Sequence, residues 1–269
     1  MSNSLKMSYR RILKRKSTYV FLALFTLVFI LDSFILLDWV ARTPEGYQFP
    51  HALEVFIMKH DSISSLLPIF LPFFIIGIIG DYLLNDKLSG MVSLVSIRSS
   101  RCRYLKDTLL HTSIVIGTIV AITYSLILIL SLIIYPLDSG TFTGDSLVQH
   151  PDLSPFVYAL MLILTNVILA VGMNLTAQAV GLLTNKKTSF YVTLFLIIFI
   201  IPYVLYFGIG PRLLPISRYV PFIVLNETLT LPIGLFAIMA YWMGYILLNL
   251  VVILLIYRVQ SKQLIYEVV

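Results

Sequence analysis

The sequence is short of cysteine, charge and acid, and each shortage excludes something. One cysteine, Cys102, rules out an intramolecular disulfide framework. Charged residues make up 12% of the 269 residues, about half the share of a soluble domain. Acids number 13 against 19 bases, and Glu45, Glu54, Glu227 and Glu267 all fall outside the long apolar runs. With four histidines as well, the chain offers no cluster of carboxylates and imidazoles at membrane depth, which an intramembrane hydrolase or metal centre requires. Nor is there a G-x-x-x-x-G-K-[ST] phosphate loop, so this chain is not expected to hydrolyse ATP. No internal repeat, low-complexity stretch or interdomain linker is visible.

What is there is apolar: 59% of residues are hydrophobic and mean hydropathy is +0.95. Six apolar runs lie near 18–38, 66–84, 108–135, 156–183, 189–209 and 235–257. Lipid forces each to be a helix, because backbone groups find no water to bond there. The first, from Thr18 to Leu37, is too long for a signal-peptide core and has no small-x-small site after it, so it reads as an uncleaved span. The expected fold is all-α, one polytopic membrane domain over 1–269 with six transmembrane helices. Pro68 and Pro72 predict a kinked or irregular start to the second span. The short turn at 184–188 makes the fourth and fifth spans an antiparallel hairpin.

The net charge of +6 would suggest nucleic acid in a soluble protein. Here the bases sit beside apolar runs, where they set topology and meet lipid headgroups, so no nucleic-acid partner is expected. Lys6, Arg10, Arg11, Lys14, Arg15 and Lys16 precede the first span. Lys87, Arg98, Arg101, Arg103 and Lys106 follow the second, Lys186 and Lys187 the fourth, and Arg258 and Lys262 the sixth. The other connections hold only Arg42, Lys59, Arg212 and Arg218. The bias never reverses, which predicts both termini in the cytoplasm.

Several segments carry candidate function. In 5–16, Leu5, Tyr9, Ile12 and Leu13 share one helical face and Lys6, Arg10 and Lys14 another, predicting a basic amphipathic helix in the inner headgroup layer. In 85–106, Asn85 or Asp86 can cap a helix in which Leu88, Met91, Val92 and Val95 repeat on one face. Such a face below the bilayer either docks another protein or rests on lipid, and spacing leaves both open. In the fourth span, Asn166, Asn174 and Gln178 fall on one stripe with Ala170. They are candidates for lining a translocation path or a subunit interface, or for bonding helices within one subunit. The proline-interrupted stretch 210–234 reads as a re-entrant hairpin or an apolar cap. Asp32, the one acid clearly inside a run, is expected to reach toward the outer surface.

At the 85–106 loop the sequence resembles the type-2 ATP-binding-cassette (ABC) transporter permeases of bacteria. The resemblance rests on Asp86-x-x-x-Gly90, the apolar stretch Met91 to Ile97, and Ser100-Arg101-x-x-Tyr104. The layout of six spans with both ends inside, and a basic helix before the first span that is similar to the family's elbow helix, extend it over the chain. The basic residue after the tyrosine comes early, at Lys106. The resemblance implies that this loop is a coupling helix docking on a separate ATPase subunit, with Asp86, Leu88, Gly90, Met91, Val92, Val95, Arg98, Arg101 and Tyr104 as its residues. It implies that ATP and Mg are bound by that partner, with no cofactor in this chain. It also implies a second permease copy or paralogue, and residence in a bacterial plasma membrane. An exporter of an amphipathic or hydrophobic cargo (a peptide, antibiotic or lipid) is then expected. The competing classes are an ion-coupled secondary transporter, which needs ionisable residues near the midplane and broken helices, and a non-transporting scaffold or immunity protein.

Overall fold

A computed structural model describes residues 9–42, 51–60, 65–91, 101–135, 154–205, 224 and 234–266. Every regular element among them is helical. In chain order these are α1 (Lys16–Arg42), α2 (Ala52–Met58), α3 (Leu67–Leu88), α4 (Arg101–Ile134), α5 (Pro155–Leu183), α6 (Lys187–Tyr203) and α7 (Leu235–Tyr266). Five of them, α1, α3, α4, α5 and α7, are long and apolar enough to cross a membrane. The chain is therefore a multi-pass helical membrane protein. α6 is a shorter apolar helix, and the end of the expected 189–209 span lies outside the described residues, as does most of 210–234.

α5 forms the centre of the bundle, packed along α4 and α7 and crossed by α3 and α2. Its ends follow from local chemistry. Ser154 accepts a hydrogen bond from the Val157 amide with Pro155 next, a usual opening for a helix. At the far end its orphan carbonyls are met from other helices: Lys87 Nζ donates to the Leu182 and Thr184 carbonyls at 3.1 Å each, and Gln260 donates to Leu182 at 2.9 Å. The turn from Thr184 to Lys187 then reverses the chain into α6, giving the expected hairpin.

Close helix approach depends on glycine at two positions. A Cβ on Gly77 would lie 2.1 Å from the Phe21 ring, so α1 and α3 touch only because that carbon is missing. A Cβ on Gly172 would lie 2.8 Å from the Tyr245 ring, which fixes the α5–α7 contact.

α3 is not a uniform helix. Pro68 occupies its first turn and Pro72 lies inside it, yet the irregularity comes later, as a π-helical turn at Ile76–Gly80. In a regular helix the Leu83 amide donates to the Ile79 carbonyl. Here the Gln178 amide stands between them: Nε2 donates to Ile79 O at 3.2 Å and Oε1 accepts from Leu83 N–H at 3.1 Å. A side chain inserted into the ladder is a known cause of such irregularity. α6 carries a second π-helical turn, Leu196–Ile200, just before Pro202.

Two expectations are corrected. Asn85 and Asp86 do not cap a new helix; they lie inside α3, which runs on to Leu88. It stops at Gly90, whose φ of 72° is the left-handed conformation that glycine adopts at a helix end. Met91 is again helical, while Val92, Val95 and Arg98 fall outside the described residues. The stretch before α3 is no simple aqueous loop either. α2 packs against α4 and α5, with Ala52 and Val55 against Tyr135 and His60 against Tyr124. Tyr135 directly follows α4 and lies 11 residues beyond Tyr124, so the segment descends roughly 16 Å alongside that helix.

Candidate functional site

The residues singled out from sequence fall into two groups, and a third group emerges from the fold. The first lies where the N-terminal turn meets the ends of α3 and α4. Residues 9–13 are helical, a turn follows at Lys14, and α1 starts at Lys16. Ile12 is fully buried and Tyr9 donates to Thr118 at 2.8 Å, while Arg10, Leu13 and Lys14 are exposed. This turn aims Arg11 and Arg15 at α3.

Asp86 is the focus of this group. It is 1% exposed, and its carboxylate accepts from Arg11 through both guanidinium nitrogens and from the Tyr104 hydroxyl. Arg11 also donates to the Tyr82 hydroxyl at 3.0 Å and stacks 4.5 Å from that ring centroid. Asp86 thus brings together α3, α4 and the N-terminal turn. The hydrogen bond it donates to Asp86 raises the Arg11 guanidinium above its ordinary value, so Arg11 stays charged throughout the physiological range. One turn earlier on α3, Arg15 pairs with Asp81 at 2.7 Å, and Tyr191 of α6 donates to the same carboxylate at 3.4 Å.

Asp86 and Tyr104, which flank the expected coupling loop, therefore meet through one hydrogen bond. Leu88 and Met91 are exposed at the same end of the bundle, and among the described residues nothing lies within 4 Å of where a Cβ on Gly90 would be. Arg101 opens α4. Sequence reasoning counted Arg11 only as a topology charge; its part in this clamp carried no local signal, because its partner lies 75 residues away.

The second group is the α5 stripe, and all three residues are buried among neighbouring helices of the same chain. Asn166 bonds back to Leu162 O at 2.9 Å. Asn174 donates to the Thr112 hydroxyl at 3.2 Å and accepts from Gln178, which bridges the break in α3. Between them Thr176, which sequence reasoning did not single out, bonds Tyr245 at 2.6 Å and Asn249 at 3.0 Å on α7. The stripe fastens α5 to α3, α4 and α7.

The third group was not anticipated. Asp32 does not reach for the surface. It is 5% exposed, accepts from the Ser65 hydroxyl and from the Leu66 amide at 3.0 Å, and so caps the start of α3. Lys59 Nζ stands 3.9 Å from the same carboxylate and 6.0 Å from the Phe29 ring centroid. His60 is buried beside it, with Nδ1 at 2.9 Å from Phe56 O. Among the described residues neither Lys59 Nζ nor His60 Nε2 has a hydrogen-bond partner. The sequence signal was present in Ala52, Val55 and Phe56, which share a helical face, but the run is too short to separate from loop.

Among the described residues no group of three His, Cys, Asp or Glu side chains is placed to hold a metal ion. No family model matches the sequence, and no curated protein matches it. The functional reading therefore rests on the residues themselves.

Proposed function

We propose that this chain is the membrane-spanning subunit of a type-2 ABC transporter. In this reading a separate ATPase binds ATP and Mg and presses on the stretch between α3 and α4. The observation that carries it is the Asp86 clamp. Any force applied between Leu88 and Arg101 meets one buried carboxylate that joins α3 to α4 and, through Arg11, to the turn ahead of α1. Ion-paired, bidentate contacts of this kind hold geometry well. Displacement of the loop then moves three spans together instead of bending one.

The remaining assignments follow from the same reading. Both termini face the cytoplasm, the helical stretch ahead of the turn at Lys14 serves as the elbow at the inner headgroups, and six spans make up the subunit in a bacterial plasma membrane. A second copy or a paralogue supplies the other half of the path. The cargo is amphipathic or hydrophobic, because the buried polar groups of α5 are consumed by contacts within the chain and offer no charged route. Export is the expected direction.

The Asp32–Lys59 pair favours a second reading, an ion-coupled secondary transporter, since buried ionisable pairs mark ion pathways in such proteins. Reconstitution into proteoliposomes separates the two. The ABC reading expects uptake of a labelled amphipathic peptide to require ATP and the co-purified ATPase, and expects Asp86→Ala to cut transport at least tenfold while ATP hydrolysis continues. Transport by the chain alone, driven by a proton or sodium gradient, replaces the first reading with the second.

A further inference from the structure

The 51–60 segment and Asp32 form a device that the ATPase reading does not use and on which it does not depend. A segment that merely filled space between α1, α4 and α5 would be apolar throughout. Residues Ala52, Val55, Phe56 and Ile57 meet that description and are fully buried. Lys59 and His60 do not. Both are buried, at 1% and 4% exposure, at the inner end of the segment. Their free nitrogens find no hydrogen-bond partner among the described residues, and neither does the Ser131 hydroxyl on α4, two turns from Tyr124.

The groups around them are few. Asp32 of α1 faces Lys59, Ser65 and the Leu66 amide. Tyr135, just past the end of α4, donates to Ser33 O, one residue from Asp32. Tyr124 of α4 and Phe56 lie against the His60 ring. Among the described residues Lys59 therefore has a single anion in reach, at 3.9 Å, without a hydrogen bond to it.

That pairing is incompletely satisfied. Desolvating two charges is costly, and the attraction between them offsets the cost only when the geometry is good and the remaining protons are bonded. Here the carboxylate is well bonded and the ammonium is not. Moving the segment outward hydrates Lys59 and His60 and leaves Asp32 still capping α3. The buried apolar side chains favour the inserted position, and the Coulomb attraction to Asp32 offsets the cost of burying Lys59 there.

We propose that residues 51–60 are a movable gate at the end of the bundle opposite the Asp86 clamp, locked shut by the Asp32–Lys59 ion pair. The gate closes when the pair is desolvated and swings out when water reaches it. With the packing of the segment unchanged, breaking the charge pairing raises how often it opens.

The test uses the full chain in zwitterionic nanodiscs, which expose both membrane faces. With Cys102→Ser as background, Val55→Cys reports the segment and Val115→Cys, buried on α4, reports the bundle. The reading is the rate of labelling by a water-soluble maleimide. Lys59→Met strands the carboxylate and Asp32→Asn strands the ammonium, so each is expected to speed labelling at position 55 at least tenfold. The two together leave no unpaired charge, and labelling is expected to fall to the native rate or below. Single variants that label at the native rate overturn the proposal. So does a double variant as open as the singles, because packing would then be the cause. A parallel rise at position 115 also overturns it, since the pair would be holding the whole bundle and not a gate.

Discussion

Replacing Gln178 by leucine keeps the volume and removes every polar atom from the break in α3. Three hydrogen bonds are lost: to the Ile79 carbonyl at 3.2 Å, from the Leu83 amide at 3.1 Å and to Asn174 at 3.1 Å. Hydrogen bonds between membrane helices average about 0.6 kcal/mol, which gives roughly 2 kcal/mol for the three. The Leu83 N–H is also left without a partner in an apolar setting, a loss that raises the total to about 2–4 kcal/mol. α3 can recover part of this by closing into a regular helix, but only by turning Asp81 and Asp86 out of register with Arg15 and Arg11. The assay is equilibrium unfolding in mixed micelles, with Asn166→Leu as the reference. Asn166 bonds only within its own helix, and its loss should cost less than about 0.6 kcal/mol. The reasoning fails if Gln178→Leu unfolds within about 0.5 kcal/mol of the native chain. It fails equally if Asn166→Leu is as damaging.

Other predictions follow from particular contacts. Arg11→Ala leaves a carboxylate that is 1% exposed with only Tyr104, and should cost about 3 kcal/mol. Asp86→Ala strands a side chain that is 41% exposed and hydrated, so it should cost less, about 1–2 kcal/mol. Denaturant midpoints of the two variants check that order. Gly77→Val drives a side chain into the Phe21 ring and should destabilise by about 1–3 kcal/mol; adding Phe21→Ala should recover part of the thermal midpoint, and no recovery would show that the α1–α3 contact is misassigned.

The sequence made the long helices legible because lipid allows little else: a run of about 20 apolar residues has one stable form. Asp86 and Tyr104 were also named from the sequence, through the resemblance at the loop they flank, though nothing there showed that they meet. What escaped were the features that depend on distant partners. Gln178 looked like one polar position in a stripe, and only the fold shows that it completes the backbone of another helix 95 residues away. Asp32 looked like a surface-seeking acid because its partners, Lys59, Ser65 and Leu66, belong to a connection that polar residues disguised as aqueous. The end of α3 was misjudged for a local reason. Asn85 and Asp86 are good caps in isolation, but the buried pairing of Asp86 with Arg11 outweighs that tendency and carries the helix on to Gly90.

The central claim is that a separate ATPase drives this chain through the stretch between α3 and α4. It is tested most directly by purifying the affinity-tagged chain from its native membrane and assaying the eluate for ATP hydrolysis. The account predicts that a polypeptide carrying a phosphate loop co-purifies in stoichiometric amount, and that reversing the charges of Arg98 and Arg101 to glutamate releases it while the chain itself remains folded. A chain that elutes alone, hydrolyses no ATP and still moves its cargo in proteoliposomes would contradict it.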